Sequence, residues 1–350
     1  MSVLSPHAQF FVIAPTYFLL LSPPQCCVQA LPVVQLSKEI LHILRQPADE
    51  YYPMMSEEDN MAKDTSCCAS CGIAGIDDIK LMPCDDCDLV RYCSDECKEN
   101  HKSEHEEDCK KRAAELRDDL LFKQPEGSYL GDCPICTLPL SLDKSKSINY
   151  ECCNEVICRG CEYANDRREM ELRLAPSCPF CRQALPDTEE EYDKQRMKRI
   201  EANDPAASRQ QGHLLYNKGD YSSAFEYWTK AATLGDAEAH YQVSVMYHHG
   251  LGVEQNKEKE IDHLEKAAIV GHPDARYNLG CHENNNGNIE RAVKHWIIAA
   301  TQGEDDSIKA LMDAFKKGHV EKEDLATTLR AHQAAVDATN SPQREEAKKA

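Results

Sequence analysis

The stretch YECCNEVICRGC (residues 150–161) sets two cysteines side by side and follows them with a Cys-x-x-Cys pair. Disulfides, catalytic thiols and metal ligands all use cysteine at such density. Fifteen of the nineteen cysteines in the 350-residue chain fall between Cys68 and Cys181, in six Cys-x-x-Cys or Cys-x-x-x-Cys pairs plus the doubled Cys152–Cys153 and a single Cys109. Pairs so close in sequence cannot staple a small secreted fold, and the total is odd, so the pattern points to zinc.

Composition narrows the partners. The net charge of −20 argues against nucleic acid, because backbone binding needs clustered Lys and Arg to displace counterions. The longest apolar run, FFVIAPTYFLLL (residues 10–21), is too short to span a bilayer and contains Pro15. No Lys or Arg precedes it, so residues 1–66 read as a disordered or mis-assigned leader, with Met54, Met55 and Met61 as alternative starts. A signal or anchor is the alternative. Thiolate-rich zinc modules suit a reducing compartment, so the expected location is cytoplasmic or nuclear, with no membrane partner.

Cys68, Cys71, Cys84, Cys87, Cys93, Cys97, His105 and Cys109 supply eight soft or borderline ligands within 42 residues, enough for two tetrahedral zincs. Residues four apart share a helix face, so Cys93 with Cys97, and His105 with Cys109, can each address one metal. A segment this small buries too little apolar area to fold without metal. Order and spacing resemble the MYND finger, down to Tyr92 before Cys93 and the ending His105-Glu-Glu-Asp-Cys109. That resemblance implies interleaved sites, Cys68/Cys71/Cys93/Cys97 and Cys84/Cys87/His105/Cys109, and proline-rich peptides as ligands. Lys102 stands where relatives often carry tryptophan; His101 is the competing histidine, and Cys67 reads as a bystander.

The second cluster, Cys133-Pro-Ile-Cys136, Cys158-Arg-Gly-Cys161 and Cys178-Pro-Phe-Cys181, resembles a RING finger. In that family the first and third ligand pairs hold one zinc and the second and fourth another. Cys152 and Cys153 are then the candidates for the second pair, since no histidine stands between His105 and His213. Glu155 in place of Cys153 is the alternative, as is an incomplete site. By the same resemblance Ile135 and Pro179 would contact a ubiquitin-conjugating enzyme, and Arg182 would bridge it to ubiquitin. Such sites have closed zinc spheres and act by positioning a thioester.

The last third repeats itself. NDPAASRQQG (203), GDAEAHYQVS (235), GHPDARYNLG (271) and GEDDSIKALM (303) align, and Trp228, Leu264 and Trp296 fall at one equivalent position. These resemble Sel-one-like repeats, tetratricopeptide-type helical hairpins, with Gly250-Leu-Gly-Val253 as the family's loop. Gly235, Gly271 and Gly303 suit the turn after each second helix.

The expected architecture is multidomain: two small zinc-stabilised treble or cross-brace modules followed by an all-α solenoid. In order these are a MYND-type finger (67–110), a helical linker (111–130), a RING-type finger (131–186), a linker helix (187–202), the solenoid (203–338) with a capping helix near 321–338, and a frayed tail (339–350). With four zincs, the chain is expected to act as a RING-type ubiquitin ligase that engages a conjugating enzyme and a protein substrate or adaptor. The alternative is a non-enzymatic zinc-dependent scaffold. A methyltransferase carrying a MYND insert is excluded, because no cofactor-binding motif flanks residues 68–109.

Overall fold

The computed structural model describes residues 67–75 and 80–349; the expectations for residues 1–66 lie outside them. Strand β1 (Met82–Pro83) pairs antiparallel with β2 (Arg91–Tyr92), and helix α1 (Asp95–Leu121) follows at once. Ser94 caps α1 by accepting from the Cys97 N–H, and Asp95 and Glu96 sit at the positive end of its dipole. Helix α1 therefore starts inside the first cysteine cluster and runs past it. The linker expected to be helical over 111–130 is so only to Leu121; residues 122–130 form turns and irregular chain.

A second hairpin, β3 (Ser147–Tyr150) with β4 (Glu155–Cys158), leads into α2 (Arg159–Leu172). Helix α3 (Glu189–Glu201), capped by Thr188, connects to the repeats. These are α4 (Pro205–Asn217), α5 (Tyr221–Thr233), α6 (Ala237–His249), α7 (Lys257–Ile269), α8 (Pro273–Asn285), α9 (Ile289–Thr301), α10 (Asp305–Lys316) and α11 (Lys322–Ala338). The first helix of each repeat is capped at one equivalent position by three residue types. Asp204, Asp236, His272 and Glu304 each accept a first-turn backbone N–H, so the position demands an acceptor rather than one residue type.

Repeat packing turns on a size complement between paired helices. Trp228 and Trp296 are buried, and each lies over a glycine of the preceding helix, Gly212 and Gly280; a β-carbon at either would overlap the indole. The middle repeat carries Ser244 and Leu264 at the equivalent positions, a larger first residue facing a smaller second one. Gly235, Gly271 and Gly303 hold φ of 89°, 103° and 94° in the turns between repeats, where a side chain would be strained.

At the C terminus the structure departs from the sequence reading. Residues Pro342–Ala347 are not frayed but form α12, packed against α2. Arg344 is buried there, and its guanidinium donates to the carbonyls of Pro139 (2.6 Å), Thr339 (2.7 Å) and Leu138 (3.0 Å). Gly160 of α2 allows the approach, since a β-carbon there would meet the Arg344 backbone. SPQREEAKKA reads as a tail because it lies beyond the last periodic helix, yet one long side chain anchors it through carbonyls.

The Gly–Trp complement is testable. Gly280→Ala is expected to destabilise the solenoid by about 1–3 kcal/mol through overpacking. Adding Trp296→Leu should recover part of that loss, which a denaturation double-mutant cycle on the folded chain would measure. Additive effects would mean that the two positions are not coupled.

Candidate metal centres

Four tetrads converge in space: Cys68/Cys71/Cys93/Cys97, Cys84/Cys87/His105/Cys109, Cys133/Cys136/Cys158/Cys161 and Cys152/Cys153/Cys178/Cys181, the ligand atoms of each lying within 4.8 Å of one another. Among the described residues Cys67 and Cys281 are the cysteines outside them; Cys281 is buried in the cluster formed by α8, α9 and α10. Sulfur separations run from 3.4 Å (Cys152–Cys181) through 3.6 Å (Cys71–Cys93) and 3.7 Å (Cys84–Cys109) to 4.0 Å (Cys152–Cys153). A disulfide would need about 2.05 Å. Sulfurs about 2.3 Å from a central zinc form a tetrahedron with edges of about 3.8 Å, which these tetrads match.

The backbone explains the convergence. In the Cys-x-x-Cys turns at 68, 84, 133 and 178, the residue after the second cysteine donates its N–H to the carbonyl of the first. Gly72, Asp88, Thr137 and Arg182 occupy that place with φ of 74°, 56°, 55° and 62°, so all four turns share one left-handed geometry. Isolated bridges, Cys67–Ala74, Asp132–Pro139 and Ser177–Ala184, close three of them. The doubled cysteines sit in another turn. Asn154 donates to the Tyr150 carbonyl (2.8 Å) with φ of 63°, and the tight corner lets neighbours Cys152 and Cys153 approach Cys181 and Cys178 respectively. Glu155 instead begins β4, opposite Tyr150, and lies outside the tetrad.

Crowding sets the thiol acidities. Hydrogen bonding from Cys158 and from backbone N–H groups lowers Cys133 to about 4, against its burial. Cys161 is pushed up to about 12 by burial and by the charge on Cys133. Burial raises Cys153 to about 11 and Cys152 further, each also facing Cys178. In the first module Cys93, beside Cys71 and Cys97, and Cys109, mainly through burial, each rise to about 12. In each tetrad one thiol, Cys68, Cys84, Cys133 or Cys181, is held below its ordinary value while others are raised, a conflict that a central divalent cation would relieve. The donor sets fit zinc, which would have a closed sphere and supply folding free energy rather than an open catalytic position.

His101 is not a member of a tetrad. Its Nδ1 lies 3.1 Å from the Tyr92 hydroxyl and its ring stacks on His105 at 5.7 Å, so it orients the ligand histidine, whose Nε2 lies 3.1 Å from the Cys87 sulfur. Sequence reading missed this role; its one signal was the spacing of four from His105. Ile135 is exposed, Pro179 is buried, and Arg182 is exposed but donates to the Asn165 Oδ1 of α2 at 2.7 Å. Among the described residues no helix is long and apolar enough to cross a membrane.

Known families match two parts of this arrangement. The MYND finger model matches residues 68–109, and the Sel1 repeat model matches 210–236, 237–272 and 273–304. The chain carries a MYND finger and Sel1 repeats. Both are protein-interaction modules. The mouse (Mus musculus) protein "DAP3-binding cell death enhancer 1" is 26% identical over 167 residues, 36% of this chain and 33% of that protein, so the match spans about a third of the relative's length. Two solved structures are similar. A Sel1 repeat protein from Oxalobacter formigenes is 25% identical with a TM-score of 0.39, covering 45% of this chain and 67% of that one. The antigen c5321 of uropathogenic Escherichia coli, with an SLR fold, is 19% identical with a TM-score of 0.34, covering 47% and 37%.

Metal analysis under reducing conditions is expected to give close to four zincs per chain. Chelation should unfold the two cysteine modules while helical circular dichroism from residues 203–338 persists. Cys152→Ser and Cys153→Ser should each lose about one zinc and Glu155→Gln none; metal loss in Glu155→Gln with retention in either serine variant would overturn that tetrad.

Proposed function

We propose that the second cysteine module is an all-cysteine RING-type finger and that the protein is a ubiquitin ligase, its MYND finger and Sel1 repeats recruiting substrates or adaptors. The observation that carries this reading is the cross-braced pairing, with the first and third cysteine pairs in one tetrad and the second and fourth in the other, straddling helix α2. Ile135 and Phe180, on the first and last turns, expose apolar side chains at 42% and 45%, as a docking face for a conjugating enzyme requires. Rate enhancement would come from positioning the thioester, with zinc purely structural.

A second reading, a zinc-dependent scaffold without transferase activity, is favoured by two other observations. Pro179 is buried, and Arg182 is engaged with Asn165, which in turn donates to the Ser177 carbonyl at 3.3 Å. Bridging ubiquitin would require Arg182 to exchange that partner. In either reading the MYND finger would take proline-rich peptides, and the protein would act in the cytosol or nucleus, where cysteine modules stay reduced. The mouse relative's name states that it binds DAP3, which supports a protein partner for the matched region here.

Ubiquitin discharge from a panel of charged conjugating enzymes separates the readings. A ligase should accelerate discharge, and Arg182→Ala should cut the acceleration about tenfold, roughly 1.4 kcal/mol, without loss of zinc. Ile135→Ala should weaken enzyme binding instead. No acceleration with any enzyme would leave the scaffold.

A further inference from the structure

Residues 121–129, LFKQPEGSY, leave α1 and cross the solenoid. Leu121 is buried with Leu264 and Ala267 of α7 and Ala275 and Leu279 of α8. The Phe122 ring lies 4.7 Å from His295, with the Arg291 guanidinium 4.8 Å from its centroid. Gln124 donates to the Thr301 hydroxyl at 2.6 Å, and Tyr129 lies 4.7 Å from His272, itself stacked on Tyr241.

The centre of this face is Arg276 of α8, which is 0% exposed. No carboxylate among the described residues pairs with it. Its guanidinium donates to the backbone carbonyls of Leu121 and, at 3.3 Å, Lys123. A buried cation whose two terminal nitrogens donate to main-chain oxygens, its Nε having no partner, recognises a peptide backbone, while the apolar pocket and the His295–Arg291 platform read an aliphatic residue followed by an aromatic one.

We propose that this face of the solenoid is a peptide-binding groove held closed in cis by residues 121–129, and that it accepts in trans a partner-protein segment of the same chemistry. The segment would be a Leu-Phe-type pair at the end of a helical turn, presenting the leucine carbonyl and the carbonyl two residues on to Arg276. This rests on the solenoid being a protein-interaction module. It differs from ligase or MYND-mediated binding, which use other surfaces. Release of the strap takes both carbonyl acceptors from Arg276, so opening is favoured when another backbone supplies them.

The test uses the zinc-loaded full chain and a fluorescent peptide, acetyl-LFKQPEGSY-amide. A strap variant, Phe122→Ser with Gln124→Ala, is expected to bind it at least tenfold more tightly than the unaltered chain. Adding Arg276→Met should remove that binding. Equal affinity in the unaltered and strap variants, with zinc content and helical circular dichroism unchanged, overturns the proposal and leaves the ligase and scaffold readings standing. Should the variant misfold, trypsin cleavage after the exposed Lys123 of the unaltered chain decides. Excess unlabelled acetyl-LFQQPEGSY-amide, in which Gln replaces the Lys so that the peptide carries no trypsin site, is expected to speed it severalfold by displacing the strap, and an unchanged rate overturns the proposal.

Discussion

Four sets of soft donors held at tetrahedral spacing are the constraint on which the N-terminal half depends. The first module's buried cluster consists of Cys68, Cys84, Cys87 and Tyr92, so its interior is mostly ligand and hardly hydrophobic. Such an interior has little to offset chain entropy, and sulfurs this close repel one another once ionised. The left-handed non-glycine residues Asp88, Thr137 and Arg182 in three of the Cys-x-x-Cys turns add strain. At Thr137, a β-branched residue with φ of 55°, that strain is of order 1–2 kcal/mol. All three terms are unfavourable without a cation and would be outweighed with one, so folding and metal binding would be one equilibrium in these modules.

The cysteine modules are joined to the solenoid by cations that seek carbonyls. Arg276 holds the end of α1, taking the Leu121 carbonyl that a helix terminus leaves without an intrahelical donor. Arg344 holds α12 against the second module by the Leu138 and Pro139 carbonyls, with the Thr339 carbonyl of its own segment as a third acceptor, and lies 3.3 Å from the Cys136 sulfur. Lys144 adds an ion pair with Glu238, whose carboxyl is held well below the usual range: burial opposes ionisation, but Lys144 and His272 more than offset it. Buried guanidinium groups are costly when unmatched and directional when matched, so these joints favour one arrangement of the modules over others that bury similar area.

Much of this was legible in the sequence where the determinants are local. Cysteine spacing announced the tetrads, and the recurrence of Trp228, Leu264 and Trp296 marked one structural position in three hairpins. Pairing between tetrads was not local, and spacing alone left interleaved and sequential arrangements equal. The choice between Cys153 and Glu155 depended on the turn at Asn154, which a one-residue difference in register would have reversed. The Gly212–Trp228 and Gly280–Trp296 complements were visible only as separate small and large residues. Least legible were the strap and α12. Arg276 and Leu121 are 155 residues apart, and Arg344 and Pro139 are 205 apart, with no periodicity linking them.

That separation bears on how a solenoid with an occupied groove can serve as an interaction module. Helical repeats gain stability mainly from nearest neighbours, so binding on one face leaves the others to fold and pack unchanged. Residues 121–129 draw on α7, α8, α9 and the N-terminal cap of α8, spanning two repeats without becoming part of either hairpin. A foreign segment would compete with an intramolecular one at high effective concentration, which raises the affinity it needs. The same covalent link means that a partner entering the groove frees the end of α1 beyond the MYND finger. Occupancy of the repeats is thereby coupled to the orientation of that finger, and the physical basis of the coupling is the shared claim of two backbones on one buried guanidinium.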